Sequence, residues 1–126
     1  MLVLDSGGVS RLADRSTRAL ALIRALRAAE LWPPVVPTMV IVESLHGRPG
    51  RDANVNRFLK SCLIEPSVSI SLARRAAELR RHAARGSAVD ALVAALAEPG
   101  GTILTGDAED LEALAANADD VRVLPL

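Results

Sequence analysis

Four carboxylates stand beside or inside apolar runs: Asp5 directly after Leu2-Val3-Leu4, Glu43 within TMVIVESL, Asp90 within SAVDALVAALA, and Asp107 just beyond TILT. Taking a lone carboxylate out of water is costly unless it is paired, hydrogen-bonded or bound to a cation. Acids brought together can hold a hard divalent cation or pass protons. Each acid also has a purely structural reading. Glu43, in a segment apolar on almost every side and therefore expected to be buried, would pair with an arginine. Asp90 would close a capping box with Ser87, and Asp107 with Asp110 three residues on would cap the helix that follows Thr105. Four such acids, two at the ends of apolar runs and two on helical segments, are harder to treat as unrelated caps.

Ser6, in LDSGGVS, raises the question of a nucleophilic serine. A Ser-His-Asp arrangement of the chymotrypsin-like kind needs its histidine and aspartate upstream of the serine. Only five residues precede Ser6, and both histidines, His46 and His82, follow it. Asp5 is therefore the residue of interest. An aspartyl-phosphate phosphatase would carry a second Asp two residues after the first, where Gly7 stands, and a receiver domain would need a later lysine, whereas the sole lysine is Lys60. Gly7-Gly8 lacks the spacing and the lysine of a phosphate-binding loop. Zinc is disfavoured without a Cys/His cluster.

The elements that must position these acids follow from periodicity. Strands are expected at 2–4, 35–36, 63–64, 102–105 and 121–124, where short β-branched and aliphatic runs are bounded by turn residues. Between them, helical spacing runs from about Ser16 to Glu30, from a Thr38 cap to about His46, from Asp52 to Lys60, from Ser69 to Arg85, from Ser87 to about Glu98, and from Asp107 to about Ala116. His46 would then sit in the last helical turn, as a cation complementing the dipole rather than as a general base. In the Ser69–Arg85 helix, Leu72, Ala76, Leu79 and Ala83 form the core stripe, with Arg74, Glu78, Arg81 and Arg85 opposite. Strands alternating with helices imply parallel pairing with right-handed crossovers. The expected fold is α/β, a single three-layer α/β/α domain over residues 1–126 with a mainly parallel sheet. Ligands of such sheets sit outside the carboxyl ends of the strands, where Asp5 and Asp107 both fall.

The chain of 126 residues is half hydrophobic, which argues for a folded core. A single cysteine, Cys62, and the lack of a secretory pattern lead to a cytoplasmic expectation, and no apolar run reaches a membrane span. Net charge is zero, yet residues 1–85 carry 14 basic against 7 acidic side chains and residues 86–126 carry 1 against 8. Fourteen of the fifteen basic residues are arginine, a side chain suited to phosphate contacts, so nucleic acid is a candidate partner. Arg11, Arg48 and Arg51 follow acid-bearing elements and are candidates for such contacts. Trp32, before Pro33-Pro34, reads as packing or interface rather than a base-stacking platform.

Taken together, VLDS at the start, VIVESL, AVDALVAALA and TGDAEDLEAL resemble, in order and spacing, the PIN-domain ribonucleases, and within them the VapC-type toxins of toxin–antitoxin pairs. The resemblance covers the whole chain. It implies an Mg²⁺- or Mn²⁺-dependent endoribonuclease with Asp5, Glu43, Asp90 and Asp107 as catalytic and metal-binding acids, and with Asp110 able to share or replace the role of Asp107. Ser6 and Thr105 match positions where a hydroxyl orders the site. It further implies an RNA substrate cut to leave 5′-phosphate and 3′-hydroxyl ends, a small VapB-type antitoxin as partner, and a homodimer. Two departures stand out: Gly7-Gly8 replaces a bulkier apolar pair, which implies a looser first loop, and Leu111 replaces an aromatic. The competing expectation is a non-catalytic RNA- or partner-binding module whose acids are structural.

Overall fold

The computed structural model describes residues 1–126. Its elements are β1 (Leu2–Leu4), α1 (Ser6–Ala13), α2 (Thr17–Ala28), β2 (Val35–Pro37), α3 (Thr38–Ser44), α4 (Pro49–Leu59), β3 (Leu63–Glu65), α5 (Ile70–Ala83), α6 (Ala88–Ala97), β4 (Thr102–Thr105), α7 (Ala108–Ala115) and β5 (Arg122–Pro125). The five strands form one sheet in the order β3-β2-β1-β4-β5, parallel throughout. Helices α1–α4 pack together beside the first strands and α5–α7 form a second packed group, the arrangement that right-handed crossovers on either side of β1 require. The α/β expectation holds, and the sheet is wholly rather than mainly parallel.

β1 lies at the centre, and Leu2, Val3 and Leu4 are completely buried. Withdrawing each such side chain from water contributes about 1.5–3 kcal/mol, enough to fix the strand that aims Asp5. The chain runs outward from β1 to β2 and β3, then returns to pair β4 on the other side of β1, in the register Leu4 to Leu104. The strand order therefore reverses between β1 and β4, and the crevice beyond their carboxyl ends is the switch point where parallel sheets hold ligands.

Several boundaries differ from the sequence expectation. The stretch after Asp5 is helix α1, not a loose loop. Its glycines are demanded by close backbone approach: a Cβ on Gly7 would fall 2.7 Å from the Gly106 nitrogen, and one on Gly8 would fall 2.5 Å from the Leu104 oxygen. Helix α3 stops at Ser44, Thr38 makes no capping bond, and His46 lies beyond the helix instead of in its last turn. The reason is Asp52, buried in the first turn of α4, which accepts N–H bonds from His46, Gly47 and Arg48 and ties down the α3–α4 loop. These bonds, the His46 bond first, hold its carboxyl below the ordinary aspartate range. Trp32 packs edge-on against Phe58, with the Arg27 guanidinium 5.0 Å from its ring centre.

Candidate metal centre

β1 delivers Asp5 to the switch point, where it is 6% exposed. Its Oδ1 caps α1 by accepting the Gly8 N–H at 2.7 Å, and its Oδ2 accepts the hydroxyl of Thr105. Thr105, fully buried at the end of β4, also accepts the Asp107 N–H at 2.7 Å. One hydroxyl thus locks the ends of β1 and β4 together and fixes the first acid. Burial pushes the Asp5 carboxyl above its ordinary range; the Thr105 and Gly8 bonds oppose that shift, and the Asp90 charge adds to it.

Asp90 comes from the first turn of α6. Its Oδ2 accepts the Ser87 N–H at 3.0 Å while the Ser87 hydroxyl accepts the Asp90 N–H, so the capping box read from the sequence is formed. Oδ1 of Asp90 takes no part in the box. Asp107 caps α7 through a long 3.5 Å bond from the Asp110 N–H. The structural reading therefore holds for Asp90 and Asp107, and capping uses one oxygen of each and fixes its direction, which leaves the second oxygen uncommitted.

Glu43 contradicts the burial expected of it. It is exposed, as is its neighbour Val42 at 78%, because the short α3 buries only Val40 completely, with Ile41 packed against the core, and leaves the Val42–Glu43 side to solvent. No arginine pairs with it. Its carboxyl is nonetheless raised, first by partial desolvation and then by the charges of Asp90 and Asp5.

Asp5, Glu43, Asp90, Asp107 and Asp110 all line one cavity of about 480 Å³. Ser6 and the edge of Ser87 complete its polar wall, and neither a hydrophobic nor a basic side chain lines it. One oxygen from each of Asp90, Asp107 and Asp110 lies within 4.8 Å of the others. Asp5 and Glu43 stand outside that tightest group, and both feel the charge of Asp90. Unit charges at such a separation repel by about 3 kcal/mol per pair at an effective dielectric of ~20, so the arrangement calls for positive charge. The donor set is all oxygen, the kind that suits a hard divalent cation.

Other candidates fall elsewhere. Ser6 makes no side-chain hydrogen bond and has no imidazole on the cavity, which disposes of it as a triad nucleophile. Arg48 and Arg51 sit at the start of α4, and neither lines the acidic cavity. Arg11 lines a neighbouring cavity with Arg18 and the ends of β4 and β5. The residue missed from the sequence is Arg85, expected on the solvent face of α5. It lies past the helix end and bonds Asp110 at 2.6 Å and Glu109 at 3.0 Å.

No family model matches the sequence, and no curated protein matches it. Among solved structures, a chain of VapBC2 from Rickettsia felis, bound to a DNA fragment from their promoter, superposes with a TM-score of 0.72 over 99% of this chain and 98% of that one. The two are 13% identical in sequence, so the likeness is one of fold. It agrees with the PIN-like architecture that the sequence resemblance implied.

Proposed function

We propose that this protein is a metal-dependent endoribonuclease of the VapC toxin type, comprising one PIN-like domain over residues 1–126, in which Asp5, Glu43, Asp90 and Asp107 form the catalytic metal site. The observation that carries the reading is the gathering of five carboxylates, with no lining cation, in one polar cavity at the switch point of the sheet. When bound, Mg²⁺ or Mn²⁺ supplies positive charge that polarises phosphoryl oxygens and acidifies water for in-line attack.

The chain's own residues do the rest. Thr105 and the Gly8 N–H hold Asp5 in one orientation, and the Ser87 box holds Asp90 with Oδ1 free. Thr105 orders the rim through its bonds to Asp5 and Asp107, and the Ser6 hydroxyl, on the cavity wall, is left to order what binds there. Glu43, on the cavity wall at its exposed edge and paired with no cation of the protein, is placed to accept a proton from the attacking water. Arginines of the basic first 85 residues, Arg11, Arg48 and Arg51 among them, hold the RNA backbone outside the cavity.

Two partners belong to the same reading: a small VapB-type antitoxin, supported by the fold shared with a VapBC2 chain, and a second copy of this chain. Light scattering at micromolar concentration should give a dimer mass; a strict monomer would remove that part. A cytoplasmic site of action belongs to the same proposal; no helix is long and apolar enough to cross a membrane.

The test of the activity is cleavage of single-stranded and hairpin-loop RNA by the purified protein. Cleavage in Mg²⁺ or Mn²⁺, abolished by EDTA and by Asp90→Asn, is the expected result. RNA binding without cleavage under every condition would replace the enzyme with the non-catalytic module, whose acids serve only as caps.

A further inference from the structure

Among the acids of the cavity only Asp110 is bonded to a cation, and that cation is Arg85. Its Nε donates to Asp110 Oδ1 at 2.6 Å and its Nη1 to Glu109 Oε1 at 3.0 Å, so one guanidinium spans two carboxylates of the first turn of α7. The backbone sets this direction. Ala84, which ends α5, is left-handed at φ 54°, and Gly86 follows Arg85 at φ +91°. A Cβ on Gly86 would fall 2.9 Å from Cδ1 of Leu114 in α7, so the turn is pressed against the helix whose acids Arg85 reaches. Arg80 donates its Nε–H to the Gly86 carbonyl at 3.0 Å and holds the turn from the other side.

Asp110 is also one of the three acids whose oxygens lie within 4.8 Å of one another. The same carboxylate therefore faces two cations, the fixed guanidinium and any divalent ion in the cavity. We infer that Arg85 is a built-in counter-ion of the acid cluster that competes with the divalent metal for Asp110, lowering metal affinity and leaving Asp107 as the acid of α7 that engages the metal first. The inference rests on the metal-site reading above and adds a regulator to it. The sign separates it from a supporting role. A residue that pre-orders Asp110 as a ligand weakens metal binding when removed, whereas a competing charge strengthens it.

The experiment is titration of Mn²⁺ alone, by calorimetry, into the parent, Arg85→Gln, Asp110→Asn and the double variant. Arg85 lies in an exposed turn, so the fold is not at stake. Arg85→Gln should bind Mn²⁺ roughly three- to tenfold more tightly than the parent, as expected for removing a nearby unit charge. In the Asp110→Asn background the same substitution should give little or no gain. Unchanged or weaker binding in Arg85→Gln, or an equal gain in both backgrounds, would overturn the inference while leaving the metal site standing. No Mn²⁺ binding by the parent or by any variant would overturn the metal-site reading, and this inference with it.

Discussion

At the scale of residues, the site depends on which lone pairs and charges are already committed. Asp5 spends one oxygen on the Gly8 N–H and the other on Thr105; Asp90 spends one on Ser87; Glu43 spends none on the protein. Asp5 and Glu43 both hold a proton more readily in the fold than an ordinary carboxylate, first because of desolvation. Asp52 is the opposite case, its charged form favoured by three backbone N–H groups. Linkage gives opposite signs. A raised acid contributes stability that is present below its unfolded pKa and lost as pH rises through the folded value. A lowered acid contributes stability present above the unfolded pKa and lost as pH falls through the folded one. In metal-free melts from about pH 2 to 7, Glu43→Gln should therefore match the parent at the acid end and exceed it near neutrality. Asp52→Asn should fall short near neutrality and converge on the parent in acid. Pairs of profiles that run parallel would contradict both assignments.

At the scale of elements, what the sequence revealed was the alternation of short aliphatic runs with amphipathic stretches. Leu2–Leu4 and Thr102–Thr105 were legible as strands because they are short β-branched and aliphatic runs that no charge interrupts, and every residue in them is buried. Helix α1 was not legible, because Gly7 and Gly8 argue against a helix by propensity, and the contact that requires them, with Leu104 and Gly106, is about a hundred residues distant in the chain. The reach of α3 was overestimated for a similar reason: the Asp52 carboxylate that organises the loop after Ser44 belongs to the next helix. Two glycines test this distinction. Gly8→Ala should destabilise by about 2 kcal/mol or more even though alanine is the better helix former, because its methyl group meets the Leu104 carbonyl. Gly50→Ala, in α4 with nothing within 4 Å of a new Cβ, should be neutral or stabilising by up to about 1 kcal/mol. Denaturant unfolding of the two variants checks the pair; equal effects would mean that propensity, and not the close approach, governs α1.

At the scale of the whole molecule, the reversal of strand order between β1 and β4 is what makes a site out of scattered acids. Asp5 and Asp107 were legible as neighbours because both stand just beyond the carboxyl ends of strands of a parallel sheet, and Asp90 because its helix returns to the same rim. The exposure of Glu43 and the partner of Asp110 were not, since each depends on how a helix end or a turn docks in three dimensions. The charge balance of the chain follows the same plan: the last 41 residues, 86–126, hold eight acids and one arginine, three of those acids lie on the cavity, and the arginines gather in the first 85. The central claim is that this acidic cavity exists to hold a divalent cation. Its most direct test is the thermal melt of the parent and of Asp90→Asn, each in EDTA and in Mg²⁺. A ligand at 100 times its Kd stabilises the folded state by about 2.7 kcal/mol, on the order of 10 °C for a chain of this size. Asparagine can still accept the Ser87 N–H and keep the cap, so the variant loses only charge. The account predicts a rise in the parent's melting temperature with Mg²⁺, little or no rise in Asp90→Asn, and a variant in EDTA as stable as the parent or more so. No Mg²⁺ effect on the parent, together with a variant less stable than the parent in EDTA, would contradict it.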